Sequence, residues 1–299
     1  MHETPTIAVP VPEEFDFGVN LDYLARSPDE SLFRIQEGKL YKTIRAGSRS
    51  PLFEVSPAQG ALLIRSLDEE PWDDETAAEV VRYVRDWFDL DLDLAPFYEM
   101  SRKDPILRGV VDRLFGLRNM GIPDLFEALC WGIIGQQISL AFAYTLKRRF
   151  VETFGERIAG DGVDVWLFPD PADIAKLEVE TLAALKMTTK KAEYLIEVAR
   201  RMTNGELSKE RLLALDGFQA AEKRLVAIRG IGPWTANYVL MRCLRYPNAF
   251  PIDDVGLHNA LKSVLGTDDK PHVARIRELA VGWQGWEAYA TFYLWRVLY

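Results

Sequence analysis

Two adjacent carboxylates, Asp253 and Asp254, follow Pro251-Ile252 and open a helical pattern. Neighbouring acids do not share one task. One fits a helix N-cap, and the other can face a cleft and stabilise a developing positive charge. Upstream, Gly230-Ile231-Gly232-Pro233 joins two apolar helical patterns. Glycines around one apolar residue permit positive φ and close approach of another backbone, and Pro233 suits a first helical position. The N–H groups at such a helix start form an anion site, with phosphate the commonest anion, and Thr235 adds a hydroxyl in the first turn. A helix of about a dozen residues spans roughly 18 Å, so Asp254 falls a short distance from an anion gripped at Gly230, Ile231 and Gly232. The plainer alternatives, a simple helix–turn–helix corner and two capping or solvated acids, stay open on residue types alone.

Other residues add to this pair. Trp234 and Tyr238 are four apart and share a helical face. With Trp131, Tyr289, Trp283, Trp286 and Trp295 they make the second half of the chain rich in aromatics. Such rings are core, or they line a cleft that stacks a flat, electron-poor ring, with a cation–π gain if that ring is charged. Gln136 and Gln137 end one apolar helix just before Ser139 caps the next. They are either a solvated turn or a polar probe, and if buried they need partners. His258 and His272 lack ligand spacing, and His2 is terminal.

The elements that must position these residues divide into two domains, 1–98 and 99–299. The fold class is α+β: an antiparallel sheet domain followed by an all-α domain. Residues 1–14, rich in Pro and Glu, are expected to be loose. FRIQ, Glu37-Gly38 and KLYKTIRA read as a hairpin, followed by the strands PLFEVS and GALLIRSL. A helix is expected over Asp74–Phe88. Beyond the acidic LDLDLAP, helices are expected at Pro105–Leu117, Asp124–Ile134, Ser139–Phe154, Pro171–Leu177, Thr188–Met202, Ser208–Leu215, Phe218–Ile228, Pro233–Leu244, Asp253–Leu265, Pro271–Val281 and Trp286–Tyr299.

The chain has 299 residues, 48% of them hydrophobic and 27% charged, as in an ordinary globular protein. Two cysteines, Cys130 and Cys243, are too few for a disulfide framework or a cysteine-held cluster. No signal peptide or apolar run of membrane length is read, and a cytoplasmic protein is expected. The net charge of −9 argues mildly against bulk nucleic-acid binding. Acid is concentrated between Asp68 and Asp93, however, whereas Lys186–Arg201 and Arg224–Arg245 are locally basic.

LVAIRGIGPWTANYVL followed by Pro251-Ile252-Asp253-Asp254 resembles the helix–hairpin–helix and Gly/Pro…Asp motif of base-excision DNA glycosylases, most closely the DNA-3-methyladenine glycosylase II family. FEALCWGIIGQQISLAFAYTL, LAALKMTTKKAEYLIEVA and GWEAYATFYLWRVLY extend the likeness. The N-terminal sheet is similar to that family's TATA-binding-protein-like domain.

The resemblance implies that Asp254 is the catalytic carboxylate, with Asp253 its capping neighbour. It places Gly230, Ile231, Gly232 and Thr235 on the backbone-phosphate grip and Gln136 and Gln137 at the minor-groove wedge. It implies that Trp234, Tyr238, Trp286, Tyr23 and Trp131 line the base cleft. The carbonyls of Val226, Ile228 and Gly230 would hold a structural Na+ or K+. Relatives that also nick the backbone carry a lysine where Trp234 stands, and a Schiff base needs an amine. The expected activity is therefore monofunctional excision of flipped alkylated purines from duplex DNA, by a monomer and without a catalytic cofactor. The rivals are a glycosylase for oxidised or deaminated purines and a non-catalytic DNA-structure-binding protein.

Overall fold

The computed structural model describes residues 6–298. The N-terminal part contains β1 (Thr6–Pro10), α1 (Phe17–Leu24), β2 (Phe33–Gln36), β3 (Lys39–Thr43), β4 (Leu52–Ala58), β5 (Ala61–Ser66) and α2 (Asp74–Trp87). The strands form one antiparallel sheet in the order β1-β5-β4-β3-β2. Glu37 (φ 51°) and Gly38 (φ 72°) both take positive φ, which a two-residue hairpin loop of this twist requires. Alternation in β5 buries Leu62 and Ile64. Asp73 caps α2, which buries Val80, Val84 and Trp87.

Residues 6–10 depart from the expectation of a loose N-terminus. They form edge strand β1, with Val9 opposite Leu62 and buried. An edge position tolerates Pro10, which cannot donate to a ladder. Residues 1–5 and 299 lie outside the described residues.

The rest is mainly helical: α3 (Ala95–Lys103), α4 (Arg108–Arg113), α5 (Leu125–Ile134), α6 (Leu140–Phe154), α7 (Pro171–Ile174), α8 (Val179–Ala183), α9 (Thr189–Thr203), α10 (Lys209–Leu213), α11 (Gly217–Val226), α12 (Pro233–Arg242), α13 (Val255–Leu265), α14 (Val273–Leu279) and α15 (Glu287–Trp295). Asp124, Ser139, Thr188 and Ser208 each accept a first-turn N–H as N-caps. Every residue of α5 is buried, so this helix forms the centre of the helical half.

Helices α1, α3 and α8 and one hairpin have no counterpart among the expected elements. β6 (Glu156–Gly160) and β7 (Val163–Leu167) form a hairpin across Asp161-Gly162. It docks on the N-terminal sheet. Val163 and Val165 bury against Leu52, and the Trp166 N–H donates to the Ser31 carbonyl at 3.0 Å.

Polar contacts fasten the two halves further. Asn20 of α1 donates to the Gly116 carbonyl and accepts from the Arg118 N–H. The Lys147 ammonium of α6 lies 3.0 Å from Glu30 and 3.1 Å from Glu127, all three largely buried. Burial alone would raise the Glu30 carboxyl. Lys147 and the Leu32 N–H outweigh it and hold the group below the usual carboxylate range.

Candidate active-site cleft

Helices α11 and α12 form the hairpin that the glycines predict. Gly230 has φ 93°, and a Cβ there would sit 2.3 Å from the Tyr194 ring of α9. Only glycine fits that approach. Gly232 has nothing within 4 Å of its Cβ direction, so that side of the turn is open. Among the described residues, the backbone N–H groups of Gly232, Trp234 and Thr235 have no acceptor. They converge at the start of α12, where the helix dipole also favours an anion.

Asp254 is the N-cap of α13, and Asp253 is exposed beside it. This corrects the expected division, in which Asp253 capped and Asp254 was left free. Asp254 does both. Its Oδ1 accepts from the Leu257 N–H at 2.7 Å and the Trp295 indole N–H at 2.8 Å, while Oδ2 accepts from the Trp234 indole N–H at 2.9 Å. Three donors fix the carboxylate in place. Gly256 makes the arrangement possible, because a Cβ there would lie 2.9 Å from Asp254 Oδ1 and 3.3 Å from the Trp295 indole nitrogen.

Asp254 stands at the edge of a cleft of about 960 Å³ that also takes in Tyr23, Trp131, Trp234, Tyr238 and Trp295. Trp234 stacks on Tyr238, with centroids 5.5 Å apart and planes inclined by 26°. Burial pushes the Tyr238 hydroxyl up to about 12, with the Arg242 guanidinium pulling the other way. The site therefore combines a fixed carboxylate, a cleft lined by aromatic rings and an anion-binding helix start.

Residues 130–284 match the HhH-GPD superfamily of base excision DNA repair proteins, and residues 14–129 match the N-terminal domain of 8-oxoguanine DNA glycosylase. The chain belongs to the HhH-GPD superfamily. It is 50% identical to a DNA-3-methyladenine glycosylase of Bacillus subtilis over 98% of this chain and 97% of that one. It is 31% identical to DNA-3-methyladenine glycosylase 2 of Escherichia coli, covering 68% of this chain and 69% of the relative. Its fold matches the solved 3-methyladenine DNA glycosylase of Archaeoglobus fulgidus with a TM-score of 0.84, at 23% identity over 98% and 97% of the two chains.

Within this HhH-GPD chain, several residues named from the sequence stand elsewhere than expected. Trp286 packs on Phe97 and Tyr289 and is absent from the cleft lining. Trp295, which the sequence reading counted only among the aromatics, takes that place. Thr235 is buried, and its hydroxyl accepts from the Gln136 amide at 3.1 Å. It braces the hairpin from inside, and its backbone N–H has no acceptor among the described residues. Ile231 is also buried, and its N–H donates to the Ile228 carbonyl. Gln136 does not face outward as a probe, since it donates to the Gly230 carbonyl at 2.9 Å as well as to Thr235. Gln137 is exposed at φ 57° beside the cleft mouth.

The carbonyls named for a monovalent cation are those of Val226, Ile228 and Gly230, and each oxygen has two lone pairs. Gly230 and Ile228 already accept from Gln136 and Ile231, which leaves Val226 as the carbonyl of the three without such a partner outside its own helix. Arg26 and Arg242 also line the cleft, and the sequence reading named neither. Their signal was faint: two basic residues, one on the aromatic face of α12 and one just beyond α1.

Proposed function

We propose that this protein is a DNA glycosylase that flips alkylated purines of the 3-methyladenine type out of duplex DNA and hydrolyses their glycosidic bond without cutting the strand. The fixation of Asp254 by Trp234 and Trp295 at the edge of an aromatic cleft carries this reading. The half-identity to a full-length glycosylase of that name supports it.

The open N–H groups at the start of α12 take one DNA phosphate, with the exposed Arg229 nearby. Gln137, Ile138 and Leu140 rim the cleft, where the gap left by a flipped base must be filled. As the C1′–N bond lengthens, positive charge grows on the sugar. Asp254, already held by three donors, stabilises it without reorganising. A purine alkylated at N3 or N7 is cationic before cleavage, so it leaves without a strong general acid. Trp234 occupies the position that an amine would need for strand scission, and its N–H is committed to Asp254.

The cell would present this substrate in the nucleoid, to a monomer acting in the cytoplasm. Among the described residues, no helix is long and apolar enough to cross a membrane. A Na+ or K+ at the hairpin would take the remaining lone pairs of the Val226, Ile228 and Gly230 carbonyls.

Incubation with methylated duplex DNA should release free 3-methyladenine and 7-methylguanine. Borohydride added during the reaction should trap no protein–DNA adduct. Release of neither base, or a trapped adduct, would overturn the reading.

A further inference from the structure

The cleft is electrostatically two-ended. Asp254 and Asp253 stand at its edge, and Arg26 and Arg242 also line it. Among the described residues, no carboxylate lies within 4.0 Å of either guanidinium. Arg242 is largely committed, donating to the Met120 carbonyl at 2.6 Å and the Tyr238 hydroxyl at 3.0 Å. Arg26 has one hydrogen bond, to the Tyr23 carbonyl at 3.0 Å, so most of the N–H donors of its fork have no protein partner among the described residues. Its guanidinium lies 3.8 Å from the centroid of the Tyr23 ring, and the residue as a whole is half-buried. Behind it a smaller cavity of about 40 Å³, bordered by both arginines, continues to the Lys147, Glu30 and Glu127 cluster. That cluster holds two carboxylates to one ammonium, and Glu30 favours the Arg26 charge across the cavity without bridging to it.

At this inner end a base meets ring faces that already carry guanidinium charge. The face of Tyr23 already carries Arg26, and Arg242 lies 5.5 Å from the centroids of both Tyr23 and Tyr238. The cation–π attraction of these rings is therefore spent on the protein's own charges. Free fork donors suit a purine edge that accepts, such as a carbonyl or a ring nitrogen.

We propose that Arg26 is a specificity-determining residue: it donates to the acceptor edge of a flipped neutral purine and sets how well the cleft releases neutral relative to cationic bases. The inference rests on the glycosylase reading above. In releasing a neutral purine, the C1′–N9 bond breaks with both electrons passing to the base. The base departs as an anion and takes a proton from water, while water oxygen adds at C1′. A guanidinium against that base stabilises the anion as it forms. A cationic alkylpurine departs neutral and gains nothing from it.

The test is single-turnover release of hypoxanthine, neutral with a carbonyl, and of 7-methylguanine, cationic in DNA, by wild type, Arg26→Gln and Arg26→Lys. Thermal stability and affinity for abasic-analogue DNA are measured alongside. Wild type should release both. Arg26→Gln should lower the ratio of hypoxanthine release to 7-methylguanine release by about 10- to 100-fold, the effect of one charge-assisted hydrogen bond. Arg26→Lys keeps the charge without the fork and should give an intermediate ratio, which carries the test if the glutamine variant does not fold. Equal loss for both bases, or an unchanged ratio in both variants, would overturn the proposal. Wild type releasing 7-methylguanine but not hypoxanthine would overturn it and leave the glycosylase reading standing, whereas release of neither base would overturn both.

Discussion

The two ends of the cleft are built in opposite ways. At the mouth, hairpin, helix α12 and the cap of α13 lie within one short run of sequence. Asp254 has a donor for every direction it uses: two indoles and a backbone N–H. The inner end draws Tyr23 and Arg26 from the N-terminal part, Trp131 from α5 and Arg242 from α12. There Arg26 has a single protein acceptor among the described residues. A fully satisfied group is pre-organised for one charge state of the reaction, while a group with spare donors can respond to what enters. The mouth therefore holds the chemistry and the inner end the choice of base.

The largest way to break that contrast is at the turn. Gly230→Ala forces a Cβ into the Tyr194 ring at a left-handed backbone position. It should cost at least about 1–3 kcal/mol of stability and weaken abasic-analogue DNA binding, readable by denaturant melts and fluorescence anisotropy. If binding and stability both match wild type, the turn is not the grip.

Next is the brace on Asp254. Trp295→Phe keeps a ring in the cleft but removes one indole donor. Base release should fall by about 10-fold, the worth of one hydrogen bond to a charged group, with DNA affinity held. An unchanged rate would show that Trp234 and the Leu257 N–H suffice.

The joint behind the cleft is tested through pH. Glu30 has a lowered folded pKa, so its stabilising pair with Lys147 is present above the unfolded carboxylate value of about 4.3 and is lost as pH falls through the folded value. Glu30→Gln should therefore be less stable than wild type at pH 7, by about 3–5 kcal/mol if the buried ammonium is left wholly uncompensated, and less so because Glu127 still pairs with it. The gap should close in acid. A gap that is constant between pH 7 and 3 would contradict the ion pair. Smallest of all, Asp253→Asn should change base release by less than about threefold. A larger loss would return Asp253 to the reaction.

The same contrast explains what the sequence could tell. The hairpin was legible because apolar periodicity breaks at two glycines and resumes at Pro233, all local signals. The sharing of work between Asp253 and Asp254 was not, since either acid fits a cap and only the backbone of α13 decides. Trp286 and Trp295 are nine residues apart, roughly half a turn out of phase at 3.6 residues per turn. One of them had to point away from the cleft, and nothing local said which. Hairpin β6–β7 did carry a signal, Asp161-Gly162 before an alternating Val-Asp-Val-Trp-Leu, but it lay between long helical patterns. Strand β1 was hidden by flanking prolines that an edge strand can bear. Arg26 was invisible because the inner end exists only once α1 packs beside α6 and α12.

Asp254→Asn tests the central claim most directly. Both carboxylate oxygens accept from indoles, so an amide must turn its NH2 toward one of those donors and also loses the charge. Single-turnover release of 3-methyladenine from duplex DNA should fall on the order of 10²- to 10³-fold, with abasic-analogue DNA still bound. Release at the wild-type rate by a folded, DNA-binding Asp254→Asn would contradict the account.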